Sequence, residues 1–273
     1  MSLVVAQIHD GRITLVADTK VTYMHDATRS LRVFQTGEPK LSILRPDLCV
    51  GHAGNYGSGA LQLLATLRDA PLDAILSALC DASYASFVIA SLEGGPTLHH
   101  VRGGEVVDRT AIGRAWAGDP DGYEVFRTQE AACPPGLGVE FGLLSSLQYL
   151  LTFKVVPTIG GHHTRVGSGS GFFRFVADGG RVLPEVFDVT RVEVTAEGLS
   201  IELKTPPGGD TSVMTIDCAA GVEPTLGSLG YFISPAGYGV LFPHDRQWEP
   251  VEIRVESFGA FKAAALGLGH HLV

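Results

Sequence analysis

The sequence has little of what marks several large classes of protein. No stretch approaches the roughly 18 consecutive apolar residues of a membrane-spanning helix. Basic residues are in the minority, with 20 Lys and Arg against 29 Asp and Glu, for a net charge of -9. A dedicated nucleic-acid-binding protein would need a basic surface. We therefore expect neither a membrane span nor a nucleic-acid partner.

Cysteines are also few, with four among 273 residues and no CxxC pair. Cys49 and Cys80 lie in apolar segments, which indicates buried thiols rather than a disulfide framework. The first ten residues contain neither a basic region nor a long apolar stretch, so they do not resemble a signal peptide. These features predict a protein of the reducing cytoplasm.

Hydrophobic residues make up 45% of the chain and charged residues 18%, which is enough to bury a sizeable core. Patterns of alternation and of helical spacing come in blocks: strands, two helices, strands, two helices, strands. This segregation predicts an α+β fold with sheets stacked between helical layers. From about residue 190 the sequence shows further strand patterns and a segment rich in aromatic residues and glycine. We therefore expect a main domain over 1–189 and a β-rich C-terminal extension over 190–273.

Ser2 directly follows the initiator Met1. Methionine aminopeptidases generally remove Met before a small residue, and removal would leave Ser2 with a free α-amine beside its hydroxyl. An α-amine has a pKa of about 7.7–8, so it can act as a general base at neutral pH. Ser2 alone is weak evidence for such a nucleophile, because serine is common at the second position. Retention of Met1 would block the amine.

Three further residues stand in register with Ser2. Asp18 follows sixteen positions later at the end of the second strand pattern, Lys40 begins the third, and Gly54 stands fourteen positions after Lys40. This pattern resembles that of the proteasome β subunits and their bacterial relatives, which are N-terminal nucleophile hydrolases. The resemblance covers about residues 2–180.

The resemblance implies a four-layer α/β/β/α sandwich and a role for each of these residues. Ser2 would be the nucleophile, with its own amine as the base. Lys40, held charged by Asp18, would lower the pKa of the hydroxyl and stabilise the alkoxide. The backbone N–H of Gly54 would stabilise the tetrahedral oxyanion.

The sequence also departs from the family's pattern. The segment between Asp18 and Lys40 is longer, and Gly118-Asp119 stands where the family usually carries a serine that assists the nucleophile. That serine is absent unless Asp119 substitutes for it. The segment 158–161 resembles the family's glycine pair, without the acid–serine pair that often accompanies it.

We therefore expect an amide-bond hydrolase, a peptidase in the first instance, acting through Ser2. Two alternatives stay open: a small-molecule amidase with the same fold and nucleophile, and a catalytically silent assembly subunit. The expected partners are a peptide or amide substrate and further copies of the chain, and an ATPase partner is left open. We expect the homo-oligomer from the resemblance and from apolar residues assigned to the outer faces of helices: Leu61, Leu64, Leu147 and Leu150.

Two other groups of residues suggest ligands but lack the required spacing. The glycine-rich stretch 167–171 has no following Lys-Ser/Thr, so it is not a phosphate-binding loop. Adjacent histidines at 99–100, 162–163 and 270–271 would point to opposite faces of a strand, and no HExxH motif accompanies them. We expect no metal and no cofactor.

Overall fold

The computed structural model describes residues 2–20, 37–54, 57–134, 136–182, 188–195, 198–204, 214–221, 227–234 and 237–273. Within these ranges the chain combines helices with strands, and all of the strand pairings are antiparallel. This mixed structure is compatible with the predicted α+β class.

The strands follow one another along the chain as β1 (Leu3–His9), β2 (Arg12–Asp18), β3 (Leu41–Arg45), β4 (Leu48–Gly54), β5 (Ala85–Ser91), β6 (Thr97–Arg102), β7 (Glu105–Asp108), β8 (Arg114–Gly118), β9 (His163–Gly167), β10 (Arg174–Phe175), β11 (Gly179–Val182), β12 (Asp188–Thr195), β13 (Gly198–Lys204), β14 (Met214–Ala220), β15 (Leu229–Ser234), β16 (Tyr238–Phe242) and β17 (Val251–Arg254). The helices are α1 (Gly57–Thr66), α2 (Leu72–Asp81), α3 (Pro120–Ala132), α4 (Val139–Phe153) and α5 (Phe258–Gly267).

The first sheet places β1 in its interior, with the strand order β10-β9-β2-β1-β8. β1 and β2 form a hairpin through Asp10 and Gly11, a turn that the Asp-Gly pair predicts, and both residues adopt positive φ, 48° and 71°. A two-residue turn of this handedness matches the twist of the strands that it joins. The turn brings the beginning of β1 beside the end of β2, where Asp18 lies.

The second sheet has the strand order β3-β4-β5-β6-β7 and packs face to face against the first. The approach is close at Gly51, where a Cβ would lie 2.5 Å from Val4 Cγ1. Glycine at this position lets β4 lie directly across β1. Since β4 carries Gly54 and β1 follows Ser2, this contact fixes how the two sheets face each other near the N-terminus.

Each of these sheets also buries its other face under helices. Leu143, Leu147 and Leu150 of α4 pack with Leu3 and Val5 of the first sheet. On the second sheet, α1 and α2 bury a separate cluster around Val50 and Phe87. The four leucines that we assigned to the outer surface are between 0% and 2% exposed. They belong to the core, so that ground for an oligomer is wrong.

A third sheet, with the order β11-β14-β15-β16-β17, joins the core that the first two sheets share. Tyr231 of β15 is buried there, and α5 covers the sheet's other face through Phe261. Strand β11 lies before residue 190 and pairs with β14 after it, while β12 runs across that position. The domain boundary at 189 stays a prediction.

In the described part of the chain, no helix is both long enough and apolar enough to cross a membrane.

Candidate active site

Ser2 lies at the entry to β1 and is only 2% exposed. Side chains alternate across a strand. Val4 and Ala6 belong to the core between the two sheets, while Leu3 and Val5 face the helices. Ser2 therefore shares the inter-sheet face with Val4. Met1, whose removal the prediction requires, lies outside the described residues.

Asp18 ends β2 and is tied to the backbone around it. Its Oδ1 accepts a hydrogen bond of 2.9 Å from the N–H of Leu3, the residue after Ser2. Its Oδ2 accepts from the N–H groups of Lys20 and Gly160, each at 3.2 Å. The three donors come from the start of β1, from the residues after β2 and from the glycine pair at 160–161. The Asp18 carboxylate therefore holds these three segments together.

Lys40 lies immediately before β3 and is 2% exposed. Its carbonyl accepts a 2.9 Å hydrogen bond from the N–H of His52 on β4. Burial raises the pKa of the Asp18 carboxyl to about 6, against the opposing effects of the Lys40 charge and of the three N–H donors. Asp18 thus binds the N–H of the residue after Ser2 and lies within electrostatic range of Lys40. The catalytic roles of Ser2, Asp18 and Lys40 stay predictions.

Two further ionisable side chains, Glu38 and His52, lie in the electrostatic field of Lys40. Burial raises the pKa of Glu38, while Lys40 opposes the rise. Burial lowers the pKa of His52 to about 3, and Lys40 lowers it further. His52 is therefore neutral, and its two buried ring nitrogens have no hydrogen-bond partner among the residues that the structure describes. No motif in the sequence marks either residue.

Gly54 is the last residue of β4 and lies opposite Ala85 on β5. A Cβ at this position would come within 2.5 Å of the Tyr84 carbonyl oxygen, so close strand packing already requires glycine there. Among the described residues, Gly54 forms no hydrogen bond with Ser2, Asp18 or Lys40. Its role in stabilising an oxyanion stays a prediction.

The sequence did not predict how Gly118, Asp119 and Thr158 hold the beginning of β1. The N–H of Asp119 donates to the Ser2 carbonyl oxygen at 2.9 Å. Asp119 Oδ1 accepts from two N–H groups at the start of α3, as an N-cap residue does. Its Oδ2 accepts a 2.5 Å hydrogen bond from the Thr158 hydroxyl. With both oxygens occupied, Asp119 positions the main chain of Ser2 and is not a free base.

The histidine pair at 162–163 divides between two faces, as its position next to β9 predicts. His162 Nδ1 lies 3.2 Å from the Thr19 hydroxyl, and its ring packs edge-on against Tyr231. His163 instead lies 3.4 Å from Asp178 on the other side. No three His, Cys, Asp or Glu side chains are grouped around a possible metal position within the described residues.

Comparison with known proteins gives no family assignment, since no family model and no curated protein matches this sequence.

The raised pKa of Asp18 predicts how it titrates. Its folded value of about 6 lies above the ordinary 3.8, so the folded chain binds this proton more tightly than the unfolded chain does. The contribution to the free energy of unfolding is therefore fully present below pH 4 and is lost as the pH rises through 6. We expect the carboxyl ¹³C resonance of Asp18, assigned by its disappearance in Asp18→Asn, to titrate with a midpoint near 6. A midpoint near 4, the ordinary value, would mean that the Lys40 charge and the N–H donors fully offset the effect of burial.

Proposed function

We propose that this chain is an amide-bond hydrolase of the N-terminal nucleophile type, with Ser2 as the nucleophile after removal of Met1. We also propose that its two facing sheets and their covering helices form the four-layer sandwich of that class. One observation supports the proposal: Asp18 binds the N–H that follows Ser2, and its carboxyl lies in the electrostatic field of buried Lys40.

The chemistry follows from these groups. Ser2 Oγ attacks the amide carbonyl carbon while its proton passes to the Ser2 α-amine, directly or through a water. The Lys40 ammonium stabilises the alkoxide as it forms. When the tetrahedral intermediate collapses, the C–N bond breaks and the departing amine takes the proton. Water then attacks the acyl ester, releasing the acid and restoring the hydroxyl.

Asp119 and Thr158 support this step without touching the substrate. They hold the Ser2 carbonyl and the N-terminus of α3 in one hydrogen-bonded unit. A nucleophile at a chain terminus would otherwise fray, because terminal residues have few backbone partners. A positioned N-terminal residue lowers the entropic cost of reaching the attack geometry.

The proposal is tested by intact-mass spectrometry together with a panel of fluorogenic peptides and simple amides. We expect loss of one methionine from the purified protein and turnover of at least one member of the panel. Hydrolysis confined to the simple amides would identify a small-molecule amidase. Retention of Met1 with no turnover would overturn the hydrolase and favour a silent subunit.

Replacement of Lys40 tests the electrostatic part of the site. We expect Lys40→Ala to abolish turnover, because the substitution removes the ammonium group that is proposed to stabilise the Ser2 alkoxide. Lys40→Arg should also fail, since a planar guanidinium does not fit the space of a compact ammonium. The Asp18 midpoint should rise above 6 in Lys40→Ala, because the opposing positive charge is gone.

Lys262→Ala is the matched control. Lys262 lies on α5, outside the proposed active site, so this variant should keep full activity. Circular dichroism separates loss of function from loss of fold. Near-normal turnover in both Lys40 variants would remove Lys40 from the mechanism.

The proposed homo-oligomer rests on the resemblance alone, since the leucines first offered in its support are buried. We expect light scattering to give a mass well above 28.9 kDa at micromolar concentration. A monomer across that range would contradict the assembly, while leaving the chemistry of Ser2 untouched.

A further inference from the structure

A cavity that Ser2 does not line lies where β6 of the second sheet meets the edge strand β8 of the first. Its volume is about 680 Å³, and its lining carries three arginines against one carboxylate: Arg109, Arg114, Arg127 and Glu130. The chain as a whole has a net charge of -9. A local excess of positive charge in an acidic protein therefore needs a physical explanation.

The cavity is built from single faces of regular elements. On α3 the lining residues are Tyr123, Arg127, Glu130 and Ala131, which recur at helical spacing. On β8, Arg114 and Trp116 alternate with residues that face the inter-sheet core. The lining of the cavity therefore uses the opposite face of β8 from the one that borders the core beside Ser2.

Only one of the three arginines is neutralised. Arg114 pairs through both terminal nitrogens with the two carboxylate oxygens of Glu130, one of them at 2.6 Å, and also donates to Gln7. This fixes Arg114 as part of the wall. The side chains of Arg109 and Arg127 form no hydrogen bond or ion pair with any residue in the described part of the chain. Two guanidinium groups thus remain available to one cavity.

The backbone that carries the two available arginines is well held. The N–H of Arg109 donates to Leu98 at 2.8 Å, and its carbonyl accepts from the N–H groups of Ile112 and Gly113. Arg127 lies in the middle of α3. Both charges therefore project from fixed positions, which lowers the entropic cost of binding a ligand between them.

Three ring side chains also line the cavity: Trp116, Tyr123 and His100. Trp116 stacks on Tyr123, with ring centroids 4.2 Å apart and planes inclined by 12°. His100 lies on the other side of Trp116, at 6.5 Å, and bonds to the Ser86 hydroxyl at 2.8 Å. Burial lowers the pKa of His100, and Arg109 and Arg102 lower it further, so its ring is neutral at pH 7. A bound molecule would meet the guanidinium groups of Arg109 and Arg127 beside these rings.

We propose that this cavity binds a small organic anion of at least two negative charges, held between Arg109 and Arg127. A guanidinium group can donate two parallel hydrogen bonds to the oxygens of one carboxylate or phosphate. Such charge-assisted hydrogen bonds are stronger than hydrogen bonds between neutral groups. The site does not involve Ser2 and stands whether or not the chain is a hydrolase. Phosphates and dicarboxylates share the required chemistry, so both serve as probes.

The chain supplies its own reporter for the test. It has two tryptophans, so Trp248→Phe leaves Trp116 as the single indole, inside the cavity wall. We titrate this protein with pyrophosphate, AMP and succinate at constant ionic strength, following fluorescence, and repeat each titration on the unmodified chain by calorimetry. We expect a saturable change with at least one probe and an affinity that falls as sodium chloride is raised.

Charge variants complete the test. Arg109→Ala combined with Arg127→Ala should weaken binding at least about tenfold, and Arg127→Glu, a change at an exposed position, should do the same. Arg246→Ala, an exposed arginine outside the cavity, is the control and should bind normally. No saturable change below about 10 mM of any probe, or equal binding in the Arg127→Glu variant, would overturn the site.

Discussion

Ser2→Ala is expected to abolish amide hydrolysis, with a loss of at least about a thousandfold in kcat. Alanine is small enough for Met1 removal, so the α-amine survives and only the hydroxyl is lost. The Ser2 carbonyl bond from the Asp119 N–H is a main-chain contact and does not depend on the side chain. The fold should therefore be unchanged, and the loss should reflect the missing nucleophile.

Two companion variants separate this mechanism from other serine chemistry. Ser2→Thr keeps the hydroxyl and should retain substantial activity. A glycine inserted between Met1 and Ser2 should abolish turnover, because the free amine moves one residue away from the hydroxyl. A Ser-His-Asp enzyme would not respond to that insertion, since its base is a side chain elsewhere in the fold.

Ser83→Ala, at an exposed serine, is the matched control and should behave as the unmodified chain. Every activity is measured on the same substrate taken from the peptide and amide panel. Turnover that survives the glycine insertion would exclude the α-amine as the base. Turnover that survives Ser2→Ala would exclude Ser2 altogether.

Local sequence patterns predicted the regular elements best. The alternation in β1 and β2, with the Asp10-Gly11 turn between them, specifies both the hairpin and its register. Helical spacing of apolar residues predicts helices over 72–82 and 141–153, and α2 and α4 match these ranges to within two residues. The sequence predicts a strand over 111–117, whereas Thr110–Ile112 form a 3-10 turn and β8 begins at Arg114.

What the sequence did not predict depends on contacts between distant segments. The leucines on α1 and α4 were expected outside because a helical repeat alone does not say which layer lies against it. Likewise the local sequence predicts Asp119 as a helix N-cap, which it is, but nothing local places its N–H on the Ser2 carbonyl. The resemblance singled out Asp18 and Lys40, whereas the influence of Lys40 on the pKa values of Glu38 and His52 is visible only in the folded chain.

Gly118→Ala is expected to be the most damaging single substitution near the site. Gly118 has a φ of +122°, and a Cβ there would overlap the Ser2 carbonyl oxygen and carbon. These are backbone atoms of the residue that leads into β1, a strand that is paired on both sides and cannot easily move. We expect a loss of more than about 4 kcal/mol in the free energy of unfolding, and loss of activity wherever the protein still folds.

Gly95→Ala separates the two causes of that loss. Gly95 has nearly the same φ, +125°, but a Cβ there would meet nothing within 4 Å. It should therefore show the cost of the unfavourable backbone conformation alone, about 1–2 kcal/mol, with normal activity. Urea unfolding of both variants measures the difference. If Gly118→Ala lowers the free energy of unfolding no more than Gly95→Ala does, then Gly118 is not in close contact with the Ser2 backbone. The hydrogen bond from the Asp119 N–H would then be the contact that fixes the N-terminal residue.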